Sequence, residues 1–312
     1  SQAHPAALSE LRMITAHLLE RHYRPAIDPA LAFSEQVVAL AHVLRARLIA
    51  LVANWIRVGY CQGNFNSDNC AAGGFTLDYG PFGFCERFDP RFQPWTGGGE
   101  HFCFFNQPQA AEANFQMIWA ALRLLLDDHA QALTQLDQVR DGFGEAMQQE
   151  LDAMWARKLG LIRCDTELVT ELLQLMVRSN ADYTILFRRL SDLPEHLSSL
   201  KESFYLPSSE ALDAQWSHWL ERWRGAVARQ GDLRKTAAAM QRTNPAITWR
   251  EWLIAPAYKQ AAQGDNSLIL ELQELFSQPY NTPSAALAAK YDRLKPREFF
   301  NAGGISHYSC SS

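Results

Sequence analysis

The sequence carries little net charge for its length and has no extended basic stretch. Its 312 residues give a formal net charge of -5, and the sequence pI is about 6.0. Proteins that bind nucleic acids usually present a basic stripe. The short cluster Arg222-Trp223-Arg224 is flanked by Glu221 and Gly225, which is typical of a solvated helix face. The sequence therefore predicts no nucleic-acid partner.

Uninterrupted hydrophobic runs are also missing. A transmembrane helix needs about 20 predominantly apolar residues in succession, and the apolar stretch 37–58 is interrupted by Arg45, Arg47 and Arg57. The first residues lack the basic-then-apolar order of a secretory signal. We expect no membrane span and a cytoplasmic location, with mitochondria as the alternative if a transit peptide has been removed.

Cysteines are few and are not spaced for a metal. The six form no C-x-x-C pair, and they lie at Cys61, Cys70, Cys85, Cys103, Cys164 and Cys310. This spacing argues against a zinc site. Reduced thiols in a cytosol-like compartment are the expectation.

The sequence also lacks a glycine-rich phosphate-binding motif. No G-x-G-x-x-G and no strand-borne lysine precede Asp68. Gly97 to Gly99 are not followed by the Lys-Ser/Thr pair of a P-loop, so these glycines are interpreted as a loop.

Apolar residues recur at intervals of three or four along most of the chain, which predicts a mainly α-helical fold. Helices are expected from about Leu8 to near Pro25, from Ser34 to just before Gly59, from Pro108 onward, and over 145–159, 165–180, 212–229 and 233–241. A soft boundary near 127–133 divides the chain into two expected domains, 1–130 and 131–312. Five tryptophans at helical spacing are interpreted as core rather than as a surface that stacks a ligand. They are Trp216, Trp219, Trp223, Trp249 and Trp252.

The most informative segment is Gln62–Gly83, which reads QGNFNSDN, CAAGGFTL and DYGPFG. It places Asp68, Asn69 and Asp78 around a short β-like run at 75–77. Their oxygens are ligands of the kind that Mg²⁺ takes beside a polyphosphate. We expect a small β-hairpin that brings Asn69 and Asp78 to face each other, so that one ion could bridge them. The alternative is a loop whose Asn and Asp side chains only cap turns.

The spacing within this segment matches protein kinases in part. The kinase catalytic loop H-R-D-L-x-x-x-N and the following D-F-G supply metal ligands. Gln62 to Asn69 has the same spacing, and Asp78-Tyr79-Gly80 stands where D-F-G would be. The kinase base would fall on Asn64, so a carboxylate base would have moved to Asp68.

These motifs resemble the selenoprotein O family, whose members usually read HGVxNTDN followed by DYGPFGF. Gln62 replaces the usual His, although an amide can still form hydrogen bonds there. Further anchors of the resemblance follow in one order along nearly the whole chain. They are Asn106-Gln107-Pro108, Asn114, Tyr183-Thr184, Phe187-Arg188, Asn244-Pro245, Gly264-Asp265, Pro279-Tyr280 and the terminal 309–312.

The resemblance implies a pseudokinase-like fold, with a kinase-like C-lobe over 1–130 and an α-helical subdomain over 131–312. It implies that ATP binds in a flipped pose and that AMP is transferred to Ser, Thr or Tyr hydroxyls of proteins. Asp68 would accept the proton, and Asn69 and Asp78 would bind Mg²⁺. Asp78 would also lie against the nucleotide phosphates through the metal.

Two other interpretations stay open, kinase-type transfer of the γ-phosphate and a non-catalytic regulatory fragment. Family members carry an N-terminal lobe with the nucleotide loop and a Lys-Glu ion pair. We expect this sequence to be the C-terminal part of a longer protein or a form without that lobe.

The family also often has Cys at the position of Cys310. Where many relatives have a Cys in the segment after DYGPFGF, this sequence has Pro94. Cys85 or Cys103 could substitute as a disulfide partner, or Cys310 is a free, exposed thiol.

Overall fold

The computed structural model describes residues 5–80, 82–95 and 99–300, and within them the fold is mainly helical. The helices are α1 (Pro5–Leu18), α2 (Phe33–Val58), α3 (Gln107–Arg123), α4 (Ala130–Asp141), α5 (Phe143–Lys158), α6 (Thr166–Ser179), α7 (Tyr183–Leu190), α8 (Ser198–Lys201), α9 (Glu210–Ala228), α10 (Leu233–Thr243), α11 (Glu251–Ala261), α12 (Ser267–Ser277) and α13 (Ala285–Tyr291). Two short strands, β1 (Tyr60–Cys61) and β2 (Gly83–Phe84), pair antiparallel. The predicted mainly helical fold with a small β-element is confirmed.

Local signals explain where several helices begin and end. Asp165 and Asp182 accept hydrogen bonds from Leu168 N and Ile185 N, both at 3.0 Å, and so cap α6 and α7. Asn180 ends α6 in the left-handed conformation, with φ at 44°. Pro108 lies in the first turn of α3, where its missing N–H costs little. The helices predicted over 165–180 and from Pro108 onward are confirmed, whereas α7 was not predicted from the sequence.

The first helix differs from its prediction. A regular α-helix ends at Leu18, and the chain continues as a single π-helical turn over Leu19–Tyr23. Both end residues of this turn are buried, and Tyr23 is fully so. An apolar repeat of three or four residues cannot distinguish this wider turn from α-helix.

The described residues form two compact units. The first comprises the chain up to Asn54, with Asn64–Tyr79 and Asn106–Glu150. The second comprises Trp55–Gly63, Gly80–Phe105 and the chain from Leu151 onward. The domain boundaries predicted from sequence stay a prediction.

The core of the first unit is built on α2. Its buried positions Val37, Leu40, Leu44 and Leu48 recur at helical spacing, which is the pattern of an amphipathic core helix. By length and composition alone, α2 could also cross a membrane, since its 26 residues contain an 18-residue window that is sufficiently apolar. However, 50% of that apolar window is buried inside the fold, as in the core helix of a globular protein.

The second unit has a tryptophan core on α9. Trp216, Trp219 and Trp223 are fully buried. The rings of Trp219 and Trp223 stack with their centroids 5.8 Å apart. Each indole N–H donates to an oxygen of the same unit, those of Ser179, Leu168 and Leu159 respectively. Because their polar atoms are satisfied within the core, these three tryptophans are core residues, as predicted.

A smaller apolar cluster of the second unit contains α11 and α12. Trp252, the fourth tryptophan, is 5% exposed within this cluster, whereas Trp249 is only partly buried at its edge. The Trp249 ring lies 4.9 Å from the Phe82 ring, centroid to centroid.

Candidate functional site

The three predicted site residues lie in the first unit, on a segment of residues 64–79 that we call the site loop. Asp68 and Asn69 belong to a 3₁₀ turn, Ser67–Asn69, that follows directly on an extended Asn66. The Asn69 N–H closes the turn on Asn66 O at 3.0 Å. The Asp68 side chain is exposed, and Asn69 and Asp78 are half-buried. All three can therefore be reached from solvent.

The orientation of the Asn69 side chain matters for its proposed role. Its Nδ2 donates to Asn64 O at 2.9 Å, which commits the nitrogen and leaves Oδ1 as the atom available to a cation. Asn66 Nδ2 donates to Asn64 Oδ1 at 2.8 Å. The Asn69 amide therefore binds the backbone of the loop, as the turn-capping alternative expects, while its oxygen makes no part of that bond.

A hairpin is present where the sequence predicts one, but it is minimal. One antiparallel bridge joins Cys70 to Thr76. Asn69 directly precedes the first of these residues and Asp78 follows the second by two. Both residues therefore lie on the open side of the bridge, away from the turn of the hairpin. Their assignment as a metal pair stays a prediction.

The start of the site loop is anchored in the core of the first unit. The Phe65 side chain is 1% exposed. Asn114, a buried polar residue on α3, donates from Nδ2 to Phe65 O at 2.9 Å. Sequence reasoning named Asn114 only as an anchor of the family resemblance, although an amide among the apolar positions of a helix signals a partner that it must bind.

The turn of the site loop is anchored by residues that sequence reasoning also missed as site residues. The Tyr23 hydroxyl donates to Ala72 O, and Arg47 Nη1 donates to Gly73 O at 3.3 Å. A charged residue within the apolar stretch of α2 was the only signal that Arg47 has a specific partner.

The oxygen donors of the site loop fit a magnesium ion whose coordination shell is completed by phosphate oxygens. Across the described parts of the chain, no three His, Cys, Asp or Glu side chains cluster as metal ligands, so a cage made only of such side chains is not found there. An amide oxygen from Asn69 and a carboxylate from Asp78 are hard donors. Mg²⁺ is usually held by one or two carboxylates together with substrate phosphates and water.

Gln62 lies in the second unit and is buried, with 1% exposure. Its Oε1 accepts the Tyr60 hydroxyl at 2.5 Å. The amide that replaces the usual His of the family therefore forms a hydrogen bond, as expected.

Several anchors of the family resemblance form a buried polar network in the second unit. Arg188 donates to the carbonyl oxygens of Asn244 and Tyr280, both at 3.2 Å. Asn244 also accepts a hydrogen bond from Lys158 Nζ at 3.1 Å, and the Tyr183 hydroxyl donates to Ile56 O at 2.7 Å. These anchors satisfy buried polar groups and so stabilise the unit.

The cysteines within the described residues form no disulfide with one another. Burial raises the pKa of Cys61 to about 12 and that of Cys70 to about 11. Such thiols are protonated near neutral pH and react slowly. Cys310 lies outside the described residues, as do Gly97 and Gly98.

The chain belongs to a family of protein adenylyltransferases. The sequence profile described as "Protein adenylyltransferase SelO" matches residues 3–278, which confirms the family resemblance found from the motifs.

Relatives with assigned names agree with this membership. The chain is 36% identical over 279 residues to "Protein nucleotidyltransferase YdiU" of Xanthomonas axonopodis pv. citri (strain 306), with 85% of this chain and 52% of the relative covered. Proteins of the same name from Tolumonas auensis and Rhizobium etli are 34% and 33% identical, with 84% and 87% of this chain and 51% and 54% of the relatives covered. The chain thus spans about half the length of these relatives.

Proposed function

We propose that this chain carries the metal-binding and catalytic residues of a protein adenylyltransferase. It would transfer AMP from ATP to Ser, Thr or Tyr hydroxyls of protein substrates. The observation that carries the proposal is the position of Asn69 and Asp78 at the open end of the hairpin in the site loop. Asp68 is exposed next to Asn69, and the chain belongs to the family that carries these motifs.

Each site residue has a separate role in the proposal. Asn69 Oδ1 and the Asp78 carboxylate would hold Mg²⁺, which when bound neutralises charge on the nucleotide phosphates. Asp68 would accept the proton of the substrate hydroxyl. The hydroxyl oxygen forms a bond to the α-phosphorus while the bond to pyrophosphate breaks.

A kinase-like C-lobe and a flipped ATP pose are part of the same proposal. The kinase-like spacing of Gln62 to Asn69 and of Asp78-Tyr79-Gly80 supports it. In ordinary kinase chemistry the γ-phosphate is transferred instead.

ATP labelled at the α or γ position separates these reactions. AMP transfer leaves the α-label on protein, whereas phosphoryl transfer leaves the γ-label. We expect Asp78→Ala to abolish the α-labelling by loss of the metal, and Asp68→Ala to slow it while leaving nucleotide binding largely intact. Asp128→Ala, which removes an exposed carboxylate elsewhere in the first unit, is the matched control. Normal transfer rates in both site variants would refute the assignments.

A second candidate is a non-catalytic regulatory fragment. The lack of a G-x-G-x-x-G motif and of a strand-borne Lys before Asp68 favours this candidate. Calorimetry with ATP and Mg²⁺ decides between them. Heat that disappears in Asp78→Ala favours the enzyme, and no heat at millimolar ATP favours the fragment.

A further inference from the structure

The site loop depends on outside support for its shape. A two-stranded hairpin is marginally stable on its own, and this one has a single bridge, from Cys70 to Thr76. Its turn is closed by Gly74 N, which donates to Ala71 O at 2.9 Å. The direction in which the two arms leave the turn therefore depends on what holds residues 71–74.

Tyr23 and Arg47 form one clamp on this turn. Arg47 Nη1 donates to Gly73 O and, at 3.0 Å, to His22 O. The Arg47 guanidinium carbon lies 4.3 Å from the centroid of the Tyr23 ring, and the Tyr23 hydroxyl donates to Ala72 O. Two neighbouring carbonyls of the turn are thus held by two side chains that contact each other.

The backbone of the turn also packs directly on the clamp. Gly74 has φ at +75°, and a Cβ there would lie 2.5 Å from Arg47 Cβ. Burial raises the pKa of Tyr23 to about 12, so its hydroxyl keeps the proton that it donates. The turn is therefore in close contact with the clamp, and the Tyr23 hydroxyl is protonated near neutral pH.

We infer that Tyr23 and Arg47 are positioning residues, which set the separation of Asn69 and Asp78 by holding the turn between them. Neither residue touches the metal or the nucleotide in this role. The claim that the clamp holds the turn rests on the contacts just described. The claim that it thereby affects metal binding rests on the proposed function.

The test compares Arg47→Met with Arg45→Met. Arg45 is also half-buried on α2 and also donates Nη1 to a backbone carbonyl, that of Val139 at 2.8 Å, but away from the site loop. Hydrogen exchange of the amides of residues 66–77 reports on the loop itself. The Mn²⁺ concentration for half-maximal ATP binding reports on the proposed metal ligands Asn69 and Asp78.

We expect Arg47→Met to speed exchange in the loop and to raise the half-maximal Mn²⁺ concentration by about 10-fold or more, the usual effect of losing a residue that orients a ligand. Arg45→Met should change neither reading, even if it lowers the melting temperature equally. Tyr23→Phe, which removes only the hydroxyl, should give a smaller effect of the same kind. Arg47→Lys should restore part of the metal affinity, since an ammonium can still donate to one carbonyl.

Each outcome decides a separate claim. Unchanged exchange in Arg47→Met would overturn the clamp, and faster exchange with unchanged Mn²⁺ dependence would overturn the positioning role. Equal effects of Arg47→Met and Arg45→Met on hydrogen exchange and on the Mn²⁺ dependence would show only general destabilisation, and would overturn both claims. If the wild-type chain binds no ATP with Mn²⁺, the proposed function fails, and the clamp is then judged by hydrogen exchange alone.

Discussion

Lys158 provides a stability test in the second unit, because it is a cationic residue buried against uncharged acceptors. It is 1% exposed, and its Nζ donates to Arg57 O at 2.7 Å and to Asn244 Oδ1 at 3.1 Å. Burial, together with the nearby Arg57 charge, lowers the pKa of Lys158 well below its usual value. The perturbation is Lys158→Met, which keeps an unbranched chain and removes the proton site.

The sign follows from proton binding. In the unfolded chain Lys158 has an ordinary pKa of about 10.4, so below that pH the unfolded state binds a proton that the native state does not. The free energy of unfolding of the wild type therefore falls as the pH decreases towards the folded pKa, by about 1.4 kcal/mol per pH unit. The wild type should therefore lose stability relative to Lys158→Met as the pH falls from about 9.5 to about 7.5.

Urea unfolding of both proteins at several pH values across this range measures the difference. Comparison with the variant cancels the titration of other groups. Lys259→Met, at an exposed position, should leave the pH dependence of the wild type unchanged. Parallel curves for wild type and Lys158→Met would refute the reasoning. They would mean that the native amine stays charged, held over the Phe187 ring, whose centroid lies 3.8 Å from Nζ.

Three further predictions concern packing and the site loop. Trp219→Ala should lower the free energy of unfolding by about 3–5 kcal/mol in urea titrations, and a loss below about 1 kcal/mol would contradict its place in the core. Gly74→Ala should destabilise by more than about 1 kcal/mol, because its φ is positive and the new Cβ would overlap a side chain of α2. Gly144→Ala, within α5 and with open space around it, should be neutral or stabilising in the same urea titrations, and equal effects of the two variants would argue against the turn geometry. Asn114→Ala leaves Phe65 O without its buried donor and should cost about 1–3 kcal/mol, with faster proteolysis within 64–79; an unchanged cleavage rate would show that the loop is anchored elsewhere.

Several helices could be predicted because their signals are local, whereas others, among them α4, α7 and α11, were not predicted. Each signal lies within a few residues of sequence, as for the apolar spacing of α2, the capping Asp165 and the left-handed Asn180. The π-helical turn at Leu19–Tyr23 was predicted as α-helix, because the apolar spacing of a π-turn differs from that of an α-helix by a single residue.

The paired strands β1 and β2 could not be predicted. Each is two residues long, too short for an alternating pattern, and their pairing joins segments separated by more than 20 residues.

The site was predictable in its chemistry but not in its support. Asp68, Asn69 and Asp78 are identified by residue type, spacing and family motif. Tyr23 and Arg47 act through contacts with backbone carbonyls, which leave no pattern in the sequence of the loop they hold. Only the fold brings them to the turn.

A double-mutant cycle on Mn²⁺ binding in the presence of ATP tests most directly whether Asn69 and Asp78 share one ion. The affinity would be measured by electron paramagnetic resonance for wild type, Asn69→Ala, Asp78→Ala and the double variant. If one ion is shared, each single variant weakens binding, and the double variant loses much less than the sum of the two losses. Strictly additive losses, or single variants that bind Mn²⁺ as the wild type does, would contradict the shared site.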